Sequence, residues 1–233
     1  MAGAAALAFA AAAALLVAAW RDPRRLAWAL LTIAGAILYF ALRELPHLAS
    51  SGRLPGQGWN WSGHLLALAG MFALAAVLAR RAGLAPRDLG FARPANLRLA
   101  VTVSATVLLA SYAVHIVTGG RLEKIPAATW LFVAIMPGLV EEVAFRGVLL
   151  ATAERAAPTA RTIAGVPVSV GAALLTSAFV GLHGFGIGML VSVLPGALLY
   201  LWLRLKTGSV VAPIVAHNLW NLTVLAAHFD RHH

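Results

Sequence analysis

Apolar residues dominate this chain in long stretches, about 3–20, 26–42, 64–79, 99–117, 129–150, 168–186, 188–205 and 209–227, each bounded by Arg, Pro, Gly or Trp. Stretches of this length match what an α-helix rising 1.5 Å per residue needs to cross a hydrocarbon layer of about 30 Å. The pattern therefore predicts an all-α fold, a polytopic transmembrane bundle of about eight helices, forming a single integral membrane domain over 1–233. The first stretch lacks a positively charged segment ahead of it and is followed by Arg21, Arg24 and Arg25. It is expected to be a retained helix rather than a cleaved leader.

Composition agrees with the bilayer as solvent. The 233 residues are 61% hydrophobic and only 11% charged, against roughly 25% charged in soluble domains. Cysteine is absent, which excludes disulfides, thiolate zinc sites and a cysteine nucleophile.

The net charge of +10 does not indicate nucleic acid, because the basic residues fall in short connectors and form no stripe with interleaved aromatics. Twelve of the eighteen Lys and Arg lie after the first, third, fifth and seventh stretches, and five lie on the opposite side. The positive-inside rule makes the richer side cytoplasmic and puts both termini outside. The alanine- and arginine-rich composition points to a bacterial inner membrane. Trp59 and Trp61 are expected in an aromatic belt at headgroup level. The basic connector 80–98 is expected to rest on anionic lipid, with room for a short interfacial helix.

Six of the eight acidic residues fall in connectors or at helix ends, but Glu141 and Glu142 do not. They stand about 12 residues, or roughly 18 Å, into the fifth stretch. A charge at such depth costs about 2.5–3.5 kcal/mol on insertion scales, so it normally faces a protein interior or cavity. Glu142 and Arg146 are four positions apart and share a helix face, which predicts an ion pair; Glu141 points about 100° away. Adjacent carboxylates disfavour double ionisation, which suits one of them to act as a general base.

Two further constellations lie on other stretches: Phe179 with His183, and His217 with Asn221, each at i, i+4 and so on one face. Convergence of the three would place a carboxylate, two imidazoles and a carboxamide together, a set able to activate water and stabilise an oxyanion. Pro137 and Pro213, each four residues before a candidate, are expected to bend their helices. Gly184 and Gly188 have the spacing of close helix packing. His64 and His115, near helix ends, read as structural.

The order EExxxR, FxxxH, HxxxN, standing here as Glu141-Glu142 to Arg146, Phe179 to His183 and His217 to Asn221, resembles the CAAX-protease and bacteriocin-processing family of intramembrane proteases over about 129–227. The resemblance implies an intramembrane endopeptidase acting on a membrane-anchored protein or peptide. It implies that Glu141 with His183 activates water, that His217 and Asn221 hold the oxyanion, and that Glu142, Arg146 and Phe179 support them. The sequence has no HExxH. Glu141, His183 and His217 would be the ligands if zinc took part, but a metal-free glutamate mechanism is preferred. A proton-coupled transporter and a non-catalytic scaffold or immunity protein are the competing classes. No inverted repeat favours the first, and the intact motifs disfavour the second.

Overall fold

The computed structural model describes residues 2–49, 59–118, 126–183 and 187–229. Its elements are α1 (Ala2–Ala19), α2 (Pro23–Ala49), α3 (Trp61–Ala82), α4 (Leu97–Thr118), α5 (Ala127–Glu142), a π-helical turn (Val143–Val148), α6 (Leu149–Ala156), β1 (Ala160–Ile163), β2 (Val166–Ser169), α7 (Val170–Leu182), α8 (Ile187–Thr207) and α9 (Val211–Phe229). Each of the eight apolar stretches contains a helix, with α5, the π-helical turn and α6 continuous in one of them. The fold is nearly all-α.

The long central helix is surrounded. α9 and α3 pack on α5, α2 and α7 pack on α6, and α3, α7 and α8 meet the π-helical turn. α1 lies across α7 and α2, and α4 backs α9. Met71, Val140, Ala144, Val148 and Leu149 are fully buried along this axis. Close approach fixes the α6–α7 crossing: a Cβ on Gly171 would fall 1.9 Å from the Ala153 carbonyl oxygen. Only glycine fits at that contact.

The outer surface is the reverse of a soluble protein's. Phe9, Val17, Ile37, Leu65, Val101, Leu109 and Leu131, from five different helices, are exposed, as suits contact with lipid. Among the described residues, Pro23–Pro46 and Trp61–Ala82 are long and apolar enough to cross a membrane.

Three expectations are corrected. A two-stranded antiparallel hairpin, with Ile163 opposite Val166, interrupts the helical order. Its two-residue turn has Ala164 at φ 49° and Gly165 at φ 74°, the left-handed pair that tight hairpins require. Trp202 and Lys206 of α8 donate to the carbonyls of Ala164 and Gly165 at 3.0 and 3.4 Å.

The connector 83–96 forms turns instead of an interfacial helix. Asp88 Oδ2 accepts from the Ala85 N–H at 2.8 Å, Leu84 and Leu89 are buried, and backbone bonds tie Gly90 to Val210 and Ala95 to Thr207. The connector is thus docked onto the α8–α9 junction.

Pro213 does not bend α9. It occupies the first turn, where no intrahelical N–H bond is lost. Trp59 and Trp61 have tertiary partners: both rings pack on Phe132 of α5, at 4.9 and 5.2 Å, and the Trp59 indole donates to Thr129 at 2.9 Å. The Gly184–Gly188 spacing begins outside the described residues.

Candidate active site

The site begins at Pro137, inside α5. Pro137 has no N–H to continue the helical ladder, and the backbone groups beside it are met by a side chain from another helix. Asn218 of α9 accepts from the Gly138 N–H at 2.9 Å and donates to the Ile135 carbonyl at 3.2 Å. One turn later come the glutamates, and immediately after them the π-helical turn. There the bonds run i to i+5, as from the Leu149 N–H to the Ala144 carbonyl. Such turns are concentrated at functional sites.

Glu142 is completely buried. Its Oε1 accepts from Arg146 Nη1 at 3.1 Å and from His217 Nδ1 at 2.8 Å. The guanidinium in turn lies 4.1 Å over the Phe179 ring and donates to the Ala197 carbonyl at 3.3 Å. The His217 ring is stacked on Tyr200 with centroids 4.7 Å apart. Carboxylate, guanidinium and imidazole therefore compensate one another's burial in a closed set.

Glu141 is different. Its side chain is 11% exposed, and Oε2 lies 3.8 Å from Nε2 of His183, whose side chain is 33% exposed. That separation is too long for a direct hydrogen bond, yet a water could stand at about 2.8 Å from both atoms. His183 ends α7, and its Nδ1 meets the Phe179 carbonyl at 2.8 Å. A carbonyl can only accept, so Nδ1 carries a proton and Nε2, on the Glu141 side, is the basic nitrogen. Phe179 thus fixes the imidazole twice, through its carbonyl and through its ring at 4.6 Å.

The structure brings Glu141 to His183, and Glu142 to Arg146 and His217. Asn221 is half-buried on α9 and forms no hydrogen bond among the described residues. The candidate zinc ligands are divided, since His217 is turned to Glu142. Among the described residues no three His, Asp or Glu side chains are grouped to hold a metal ion. His64 is structural, with Nδ1 2.7 Å from the Asn60 carbonyl and its ring edge-on to Phe132.

Sequence reasoning missed Asn218 and Tyr200. Asn218 is the polar neighbour of His217 and opposes the proline turn at Pro137, which is the signal that could have found it. Tyr200 had no local signal, because its place under His217 depends on how α8 packs on α9.

Residues 123–223 match the family model described as type II CAAX prenyl endopeptidase Rce1-like. That segment, which carries both glutamates, both histidines, Arg146 and Asn221, is similar to the Rce1-like family of CAAX-type endopeptidases. No curated protein and no solved structure matches the chain.

Proposed function

We propose that the protein is an intramembrane endopeptidase in which Glu141 and His183 activate water against a peptide bond of a membrane-anchored protein or peptide. The observation that carries this reading is the opposition of Glu141 Oε2 and His183 Nε2 with the histidine tautomer set by Phe179. Water held between them gives one proton to Glu141 as its oxygen bonds to the carbonyl carbon. The tetrahedral intermediate then collapses, the C–N bond breaks, and the amine leaves with a proton from the same pair. One peptide and one water become a carboxylate and an amine. No metal is assigned a part.

Glu142, Arg146 and Phe179 are the supporting shell. His217, held by its Nδ1 on Glu142, would with the Asn221 carboxamide face the developing oxyanion. Each of the eight helical stretches is assigned a membrane crossing, in a bacterial inner membrane with both termini on the non-cytoplasmic side. That assignment uses the distribution of basic residues. The substrate segment is a C-terminal or leader sorting sequence.

The test is cleavage of candidate membrane-anchored peptides by protein purified in detergent, with products identified by mass and metal content measured on the same sample. Transport without cutting, in reconstituted vesicles, would replace the reading with a carrier.

A further inference from the structure

The inward face of α2 is a stripe of positions three or four apart. Ala29, Thr32 and Tyr39 are buried along it, and the next position in the series is Arg43. The stripe runs antiparallel to the central helix in a constant register. Thr32 Oγ1 lies 2.8 Å from Thr152 Oγ1, a Cβ on Gly35 would meet Leu149 Cδ2 at 2.8 Å, and the Tyr39 ring stands 5.5 Å from that of Phe145. Each step forward along α2 is matched by an equal step back along its neighbour. One turn beyond Tyr39 and Phe145, the same register sets Arg43 level with Glu141. α7 repeats the pattern from its own side, where Phe179 meets Phe145 at 5.0 Å and His183, one turn later, faces Glu141.

Next to the layer of aromatic rings there is therefore a layer of three polar side chains, Arg43, Glu141 and His183, one each from α2, α5 and α7. The Arg43 guanidinium stands 5.9 Å from the centroid of Phe40, a ring of the aromatic layer that is itself 6.3 Å from Phe145. The charge of Glu141 reaches it. Arg43 lies outside the segment that matches the family model.

A cation on the inward face of a membrane helix is expensive to place and is kept where an anion meets it. The anion that Arg43 has is weakly bound. Its Nε pairs with the adjacent Glu44 at 3.2 Å, but the two side chains are 32% and 50% exposed, so water screens the pair. The guanidinium also approaches the Tyr39 hydroxyl, a neutral group. Its backbone is fixed, because Asn60 of α3 donates to the Arg43 carbonyl at 2.7 Å. Arg146, by contrast, is enclosed by Glu142, the Ala197 carbonyl and Phe179. Of these two arginines, Arg43 is the one a substrate can reach.

We propose that Arg43 binds a carboxylate of the substrate peptide close to the scissile bond and so selects which peptides are cut. This rests on the peptidase reading above. A guanidinium presents paired N–H donors that match the two oxygens of a carboxylate. That carboxylate is either the free C-terminus of the peptide or an Asp or Glu side chain near the bond that is cut.

The probe is a peptide that the purified parent cuts, made as its C-terminal acid, as its C-terminal amide, and with each Asp or Glu changed in turn to Asn or Gln. We expect one of these neutralisations to raise KM about 10- to 100-fold with kcat held, the amide marking the C-terminus as the source and a side-chain change marking that residue. Arg43→Gln should lose the preference, its KM for the charged peptide rising to that for the neutral one. Arg43→Lys should keep part of it, since the charge remains without the planar fork. A parent indifferent to every neutralisation, a preference that survives in Arg43→Gln, or an equal loss on charged and neutral peptides would each overturn the role. The parent's own comparison of charged and neutral peptides needs no variant, so it decides the matter even where Arg43→Gln does not fold. Glu141→Gln, run alongside, separates the two proposals. A parent that cuts no peptide overturns both, whereas a parent that cuts charged and neutral forms equally while Glu141→Gln is silent overturns this one alone.

Discussion

Asn218 repairs the backbone of α5 from across the helix interface, donating to Ile135 and accepting from Gly138 on either side of Pro137. It lies next to His217, which holds Glu142 one turn farther on. Two neighbours on α9 thus brace both the proline turn of α5 and its second glutamate. A Cβ on Gly138 would stand 2.4 Å from Asn218 Oδ1 and 2.9 Å from the Ile214 carbonyl oxygen. Gly138→Ala should therefore cost about 1–3 kcal/mol and reduce turnover, because α9 must withdraw. A variant that melts with the parent and cuts at its rate would show that the clamp is not needed.

Glu141→Gln should lower turnover by about 10²–10⁴-fold and leave the thermal transition nearly unchanged, since Glu141 has no hydrogen bond to lose. His183→Ala should be equally inactive. Turnover by Glu141→Gln above about a tenth of the parent rate would exclude Glu141 as the base.

Arg146→Ala should behave oppositely, with a lower melting temperature accompanying lost activity. Removing one member of a buried ion pair costs about 3–5 kcal/mol, and Glu142 would retain only His217. Arg146→Lys should restore part of the stability at most, because an ammonium cannot bridge Glu142 and the Ala197 carbonyl with a planar fork or lie flat on Phe179. Full stability in Arg146→Ala, measured by melting in detergent, would contradict the pair.

His217→Ala is expected to be inactive with no change in bound metal, as it is assigned to Glu142 and the oxyanion. A stoichiometric zinc in the parent that disappears in this variant would overturn that assignment. Asn221→Ala should lower kcat by roughly 10²–10³-fold while barely moving substrate affinity. Weakened binding with unchanged kcat would make Asn221 a substrate-holding group.

Helix placement was legible because long apolar stretches bounded by Arg, Pro, Gly or Trp have the length and composition of helices. The Glu142–Arg146 pair was legible for a similar reason, since helical geometry alone brings positions four apart together. The partnership of His217 with Glu142 spans 75 positions and depends on how α9 crosses α5, which no local pattern encodes. The π-helical turn has no composition of its own. The hairpin was missed because its turn is Ala-Gly, without the Asn or Asp that usually marks φ > 0, and because docking by Trp202 and Lys206 is a tertiary effect.

Arg204 donates through Nε to the carbonyl of Arg146 at 2.9 Å and through Nη2 to the carbonyl of Asp88 at 3.1 Å. The surface connector and the deeply placed turn are therefore joined through one guanidinium, as two ropes at one peg. An affinity tag spliced between Arg87 and Gly90, a position that sequence alone would recommend as a harmless exposed loop, pulls on that peg. Engineers seeking a tolerant insertion point should look away from this connector, since what is done there is felt beside the ion pair in the bundle's interior.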